Sequence, residues 1–229
     1  MPCIALVSYI NTRPFIDGFE QFFPDGEVQF RLMPPADCAR ALHQGSCDMA
    51  LIPVGALPNF DHVHLHPDYC IGANGPVKSV YMFSRQPIDT LQEIRLDPHS
   101  RSSNGLTRIL MKYHWKQQVD YYLPETRNFS YIQGQTGGVV IGDEAIKLRD
   151  RFEYAYDLSD HWKKLTGLPF AFAVWAYRPG VFSSTLMEKL TEAMAWGIAQ
   201  ADQSALKWAK HYDIPLPFAG KYLTQYIDY

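Results

Sequence analysis

The chain opens on an apolar run from Cys3 to Tyr9, the mark of a parallel strand covered on both faces. The run breaks into Asn11-Thr12-Arg13-Pro14, where Pro14 suits the first turn of a helix and Asn11 or Thr12 its cap. Val28 to Met33 alternates as a second strand. Pro35 to Gln44 sets Cys38, Ala41 and Leu42 on one helical face, with Gly45 as the stop. Asp48 to Val54 is a third buried strand, ending at Pro53. Strand, helix, strand, helix, strand implies a parallel sheet with right-handed crossovers.

His62-Val-His-Leu-His66 places three histidines at period two, which reads as the wet face of an edge strand. No fourth ligand is implied, so no metal is expected. Gly72, Gly75 and Pro76 then turn the chain sharply, with Ser79 just beyond. Gln86-Pro87 breaks the pattern and a second unit begins at Leu91. In it, Ile94 and Leu96 form a short strand, and a turn rich in Ser100, Ser102, Ser103 and Asn104 leads into a helix through Leu106, Ile109 and Leu110. Asp120 to Leu123 is a strand, and Gly137 to Ile146 is a buried strand breaking into a helix at Gly142-Asp143. Thr166 to Tyr177 is an apolar run long enough to return to the first unit. Thr185-x-x-Glu188 reads as a capping box opening a long helix with Leu186, Leu190, Ala193, Met194, Gly197 and Ile198 on one face. A second helix carries Leu206, Trp208 and Ala209, and a short last one Tyr222, Leu223, Tyr226 and Ile227.

This order predicts an α/β chain of two lobes. The first comprises 1–84 and 175–229 and the second 85–174, with hinge crossings near Ser84-Arg85 and Phe170 to Val174. A ligand is expected in the cleft between the lobes. Ser8 to Arg13, Gly75 to Ser79, Ser100 to Asn104, Gly142-Asp143 and Thr166 to Phe170 would face it.

Composition narrows the partners. At 229 residues and 47% hydrophobic content the chain can bury a real core. A net charge of -3 without a Lys/Arg block argues against nucleic acid, and no apolar run approaches a bilayer span. Met1-Pro2-Cys3 lacks a basic region ahead of its apolar run, so the start reads as a strand and not a signal peptide. Cys3, Cys38, Cys47 and Cys70 lie far apart, as expected of reduced thiols in a cytoplasmic protein.

The candidate chemistry is that of a binder of anions. Ser100, Ser102, Ser103 and Asn104 at a helix start offer hydroxyls, free N–H groups and the positive end of a dipole. A carboxylate suits them better than a triphosphate, because the P-loop lysine and glycines are missing. The same residues also make a plain helix cap. Asn11 reads equally as a cap, Arg13 as an exposed first-turn residue, Ser79 as an ordinary strand serine, and Asp143 as a cap or a site carboxylate. No serine has an obvious histidine partner, which disfavours acyl chemistry.

Five motifs in one order carry a resemblance. Ser8-Tyr-Ile-Asn-Thr-Arg-Pro14, Ile71-Gly-Ala-Asn-Gly-Pro-Val-Lys-Ser-Val80, Asp97-Pro-His-Ser-Arg-Ser-Ser-Asn104, Ile141-Gly-Asp143 and Thr166-Gly-Leu-Pro-Phe170 closely resemble the chorismate dehydratases of the futalosine route to menaquinone. Ser102 departs from the threonine common there and keeps the hydroxyl. The resemblance implies a type II periplasmic-binding-protein-like fold and a cytoplasmic lyase that works without metal or organic cofactor, as monomer or homodimer. It implies loss of water from chorismate to give 3-[(1-carboxyvinyl)oxy]benzoate. Asn11 would stand nearest the reacting carbons. Ser79 with the Gly75 turn would hold a carboxylate or the leaving hydroxyl, and Ser100, Ser102, Ser103 and Asn104 the other carboxylate. Arg13, Gly142, Thr166, Pro169 and Phe170 would complete the substrate site. The proton would go to the substrate's own enolpyruvyl carboxylate, or to Asp143. The alternatives are a solute-binding protein for a small carboxylate and the related 1,4-dihydroxy-6-naphthoate synthase.

Overall fold

The computed structural model describes all 229 residues. Its elements, in chain order, begin with β1 (Cys3–Val7), α1 (Arg13–Phe22), β2 (Gln29–Met33), α2 (Pro35–His43), β3 (Met49–Pro53), β4 (His64–Ala73) and β5 (Val80–Ser84). There follow β6 (Glu93–Arg95), α3 (Ser102–Leu110), β7 (Asp120–Tyr122), β8 (Thr136–Ile141), α4 (Asp143–Leu148), β9 (Tyr154–Asp157), α5 (Leu158–Thr166) and β10 (Phe170–Tyr177). Three helices close the chain: α6 (Ser184–Ala199), α7 (Ala201–Trp208) and α8 (Leu216–Lys221). No helix is long and apolar enough to cross a membrane.

The strands form two five-stranded sheets, ordered β2-β1-β3-β10-β4 and β7-β6-β8-β5-β9. In each, the parallel core carries strands running the other way: β10 is antiparallel to β3 and β4, and β5 to β8 and β9. β1 and β3 are apolar at every position because the sheet is covered on both faces, which is what the uninterrupted runs predicted. Sheet membership moves the crossings earlier than expected. β5 pairs entirely in the second sheet and β10 in the first from Phe170 onward, so the chain changes sheets across Asn74–Ser79 and Gly167–Pro169.

Three local expectations are corrected. His62 precedes β4, Leu65 is exposed and His66 is buried, so the histidines do not share a wet face. The His66 face is covered by α6, whose Thr191 Oγ1 lies 2.9 Å from His66 Nε2. The long helix α6 is capped by Ser183, which accepts the Leu186 N–H, rather than by Thr185. The hydroxyl-rich turn is shorter than expected, because Ser102 to Asn104 already form the first turn of α3.

The main core surrounds Trp175, which meets the rings of Phe15 and Phe19 edge-on at 5.4 and 5.8 Å. A smaller cluster of Tyr81, Phe83, Ile132, Val140 and Ala145 covers the outer face of the second sheet. α1 and α6 touch through their backbones. A Cβ at Gly197 would stand 1.9 Å from the Pro14 carbonyl oxygen, so only glycine permits this approach. That contact seats the start of α1, and with it Asn11, against the C-terminal helices.

Candidate active site

A cavity with about 540 Å³ of open space lies where the strand ends and crossings of the two sheets converge. Its lining includes Tyr9, Asn11 and Thr12 after β1, Ser79 before β5, Ser100, Ser102 and Ser103 around the start of α3, Gly142 after β8, and Phe172 of β10. Tyr9 is the sole titratable side chain among the nineteen lining residues.

Asn11 and Ser79 are joined through a residue that sequence reasoning missed. Tyr222 Oη donates to Ser79 Oγ at 2.7 Å, and Asn11 Nδ2 donates to Tyr222 Oη at 3.3 Å. The Asn11 carboxamide oxygen accepts from Thr12 Oγ1 at 3.2 Å, and its backbone carbonyl accepts from Tyr229 Oη at 3.0 Å. Asn11 is therefore fixed at side chain and backbone alike. Ser79 sits after a turn held by buried Asp157, whose carboxylate accepts the Val77 and Lys78 N–H groups at 3.2 and 2.8 Å.

The serines divide the work of the opposite wall. Ser102 Oγ donates to the Phe172 carbonyl at 2.7 Å and accepts the Gly55 N–H at 3.1 Å, so its hydroxyl ties α3 to the first sheet's elements. Ser100 Oγ accepts the Ser103 N–H at 3.0 Å and keeps its own proton free to donate. The Ser103 hydroxyl and the Ser102 and Asn104 N–H groups have no partner within the protein, leaving donors at the positive end of α3. Asn104 does not line the cavity. Its side chain accepts from the Asp97 N–H at 3.0 Å and donates to the Asp97 and Ser100 carbonyls, closing the turn.

Beneath that turn lies an ion pair that the sequence did not signal. Asp97, wholly buried at its side chain, accepts from Arg127 Nη2 at 2.8 Å and from the Ile141 N–H at 3.3 Å. Arg127 Nη2 also donates to the Ile141 carbonyl at 2.8 Å, which pins the end of β8 beside Gly142. Nothing in the spacing of the 124–135 loop marks Arg127 for this part.

Asp143 neither caps α4 nor lines the cavity. Its carboxylate accepts the Ile10 N–H at 3.2 Å, joining the second sheet's helix to the turn that carries Asn11. Burial pushes its pKa up to about 7, with the Ile10 hydrogen bond and Lys147 opposing the shift. Gly142 does line the cavity, with φ +70°, and a Cβ there would meet the Tyr9 ring at 2.8 Å. Burial raises the Tyr9 pKa as well, so its phenol stays a donor, 3.5 Å from His99 Nδ1.

The remaining expected residues stand outside the lining. Arg13 is buried against the C-terminal helices, its Nε donating to Tyr212 Oη at 2.7 Å and its guanidinium 3.9 Å from the centre of the Trp208 ring. Gly75 is buried in the crossing turn without reaching the cavity. Thr166 and Pro169 are exposed and close the end of α5. Thr166 Oγ1 donates to the Trp162 carbonyl at 2.9 Å, and the Pro169 carbonyl accepts Trp162 Nε1 at 3.1 Å. Phe170 packs on Phe172, ring centres 4.7 Å apart, so this motif supports the cavity through its neighbour.

The family described as menaquinone biosynthesis matches residues 2–228. A chorismate dehydratase of Thermus thermophilus is 30% identical over 191 residues, 75% of this chain and 69% of that protein. Among solved structures, a protein of Archaeoglobus fulgidus superposes with a TM-score of 0.73 at 14% identity, covering 99% of this chain and 88% of its own. The alkanesulfonate-binding protein of Xanthomonas axonopodis pv. citri gives 0.69 at 13%, covering 99% and 86%. A Candida albicans protein described as having the generic periplasmic binding protein fold gives 0.68 at 12%, covering 100% and 81%.

Proposed function

The chain belongs to the menaquinone biosynthesis family, and from that membership and its cavity we propose that it is a cytoplasmic chorismate dehydratase. The observation that carries the reading is that Asn11 and Ser79 line one cavity and are tied to each other through Tyr222. Chorismate loses the hydrogen on the ring carbon bearing the enolpyruvyl ether and the hydroxyl of the next carbon. The C–H and C–O bonds break, a ring double bond forms, and proton and hydroxyl leave together as water. Aromatisation drives the reaction, so orientation and charge placement are the protein's main tasks.

The hydrogen removed is vinylogous to the ring carboxylate, into which charge flows as it departs. Donors at the α3 start, with the Ser100 and Ser103 hydroxyls, would hold and stabilise that carboxylate. Ser79 would hydrogen-bond the departing hydroxyl, and Asn11 would fix the ring between them. No carboxylate, imidazole or amine of the protein lines the cavity. That lining supports the reading in which the substrate's enolpyruvyl carboxylate is the base. Asp143 supports the site by holding the Ile10 amide behind Asn11.

The test is incubation with chorismate, following the aromatic product by absorbance and mass. Appearance of 3-[(1-carboxyvinyl)oxy]benzoate is expected. Untouched chorismate that merely raises the thermal midpoint would sink the enzyme reading in favour of a carboxylate binder. Asn11→Ala and Ser79→Ala should each cut turnover while the fold is kept. Near-normal turnover in both would remove these residues from the reaction.

A further inference from the structure

We propose that Tyr222 is the positioning residue of this site, its buried hydroxyl fixing the direction in which Ser79 presents its proton to the leaving hydroxyl. The inference rests on the dehydratase reading and assigns a role to a residue outside all the motifs that suggested it.

A phenol has one proton, and Tyr222 spends it on Ser79 Oγ at 2.7 Å. The Tyr222 oxygen in turn accepts from Asn11 Nδ2 at 3.3 Å. The chain of donors therefore runs one way, from the Asn11 amide to Tyr222 to Ser79. With an oxygen lone pair of Ser79 occupied by Tyr222, its own proton must point away from the phenol, and Ser79 lines the cavity. A serine hydroxyl otherwise rotates among three staggered wells, of which only one serves a given acceptor. Donors linked in series also polarise one another, so Tyr222 strengthens the hydrogen bond Ser79 gives.

The ring is held as firmly as the hydroxyl. Tyr222 is 1% exposed, and its ring stacks on Phe218 with centres 5.9 Å apart and planes 18° from parallel. Burial raises its pKa, so the phenol remains a donor across the working pH range. Replacement by phenylalanine keeps the stack and removes one oxygen, which makes Tyr222→Phe a folding variant that isolates the hydroxyl.

The experiment is a cycle of Tyr222→Phe, Ser79→Ala and the double variant, with kcat and KM for chorismate and the thermal midpoint measured for each. Tyr222→Phe should lower kcat about tenfold to a hundredfold, the scale of a misplaced reacting group, with KM within about twofold. In the Ser79→Ala background the same change should have a clearly smaller effect on kcat, only what Asn11 loses with its Nδ2 partner, because its main target is gone. A purely structural tyrosine would shift the midpoint and act alike in both backgrounds. Parental kcat in Tyr222→Phe, or losses that multiply in the double variant, would overturn the proposal while leaving the dehydratase reading standing. An unmodified chain that forms no product would overturn both.

Discussion

Replacing Asp143 by asparagine should stabilise the protein at alkaline pH and leave it unchanged at acid pH. Asp143 is 9% exposed, its pKa is raised by burial to about 7, and no cation forms a salt bridge with it. In the unfolded chain the carboxyl titrates near its ordinary value of about 4. Between those two values the folded protein holds a proton that the unfolded chain has released, so stability falls as pH rises through the window and is lowest above it. From pH 5 to pH 8.5 the group loses about two units' worth of protonation advantage, at ~1.4 kcal/mol per unit, or about 3 kcal/mol. Asparagine keeps an oxygen to accept the Ile10 N–H and never ionises, so it removes this slope. The assay is urea unfolding of parent and Asp143→Asn at pH 5 and pH 8.5, read as the difference between their pH dependences so that other titrating groups cancel. Equal pH dependences would show that Asp143 is ionised and solvated in the folded protein, and the buried-carboxyl argument would fail.

Other consequences are simpler. Ser102→Ala strands the Phe172 carbonyl and the Gly55 N–H, each costing about 1–3 kcal/mol if left unpaired; a denaturation midpoint indistinguishable from the parent would contradict the tether. Gly142→Ala forces a side chain into a backbone conformation with φ +70° and ψ -150°, worth about 1–3 kcal/mol, and pushes on the Tyr9 ring; it should lose both stability and turnover, and full activity would show that Tyr9 has room to move. His66 accepts the Asp68 N–H at Nδ1, and burial lowers its pKa, so it is neutral with its proton on Nε2, facing Thr191. The unfolded chain gains a proton near pH 6.5 that the folded chain refuses, so this histidine weakens the fold as pH drops through that value. Nitrogen NMR showing a protonated Nδ1 at pH 7 would refute the assignment.

The strands of the parallel core were legible because burial on both faces leaves an uninterrupted apolar signature, as in β1 and β3. The crossings were displaced by a few residues because strand pairing, not composition, decides which sheet owns Val80 to Ser84 and Phe170 to Val174. His66 defeated the alternation rule because α6, more than a hundred residues later, covers its face and supplies a hydroxyl. The turns holding Asn11, Ser79, Ser100 and Gly142 stood out as short polar breaks after apolar strands, and all four line the cavity. Arg13, Asn104, Thr166 and Pro169 belong to the same breaks but brace them from behind, a distinction that depends on which way each side chain turns. Tyr222, Arg127 and Asp157 are invisible locally. Their importance comes from contacts across 143, 30 and 80 residues of chain, which no spacing encodes.

The uncharged lining, on the dehydratase reading, explains why the substrate supplies the base. A lysine or arginine in the cavity would bind chorismate's two carboxylates more tightly, and it would also depress their basicity by favouring the ionised form. Hydroxyls and N–H groups hold a carboxylate with a weaker field, and they hold it directionally. The donors are unevenly placed, with the unpartnered N–H groups of Ser102 and Asn104 and the Ser100 and Ser103 hydroxyls gathered at the start of α3. The carboxylate seated there takes the developing charge. The other, left with fewer donors, keeps its basicity, and the vinyl carbon that bears it is joined through the ether oxygen to the carbon to be deprotonated. A cation introduced by Ser103→Lys, beside the carboxylate that takes the developing charge, should therefore tighten chorismate binding without lowering kcat, and a fall in kcat with tighter binding would show that the carboxylate held at the start of α3 is not the one that takes the charge.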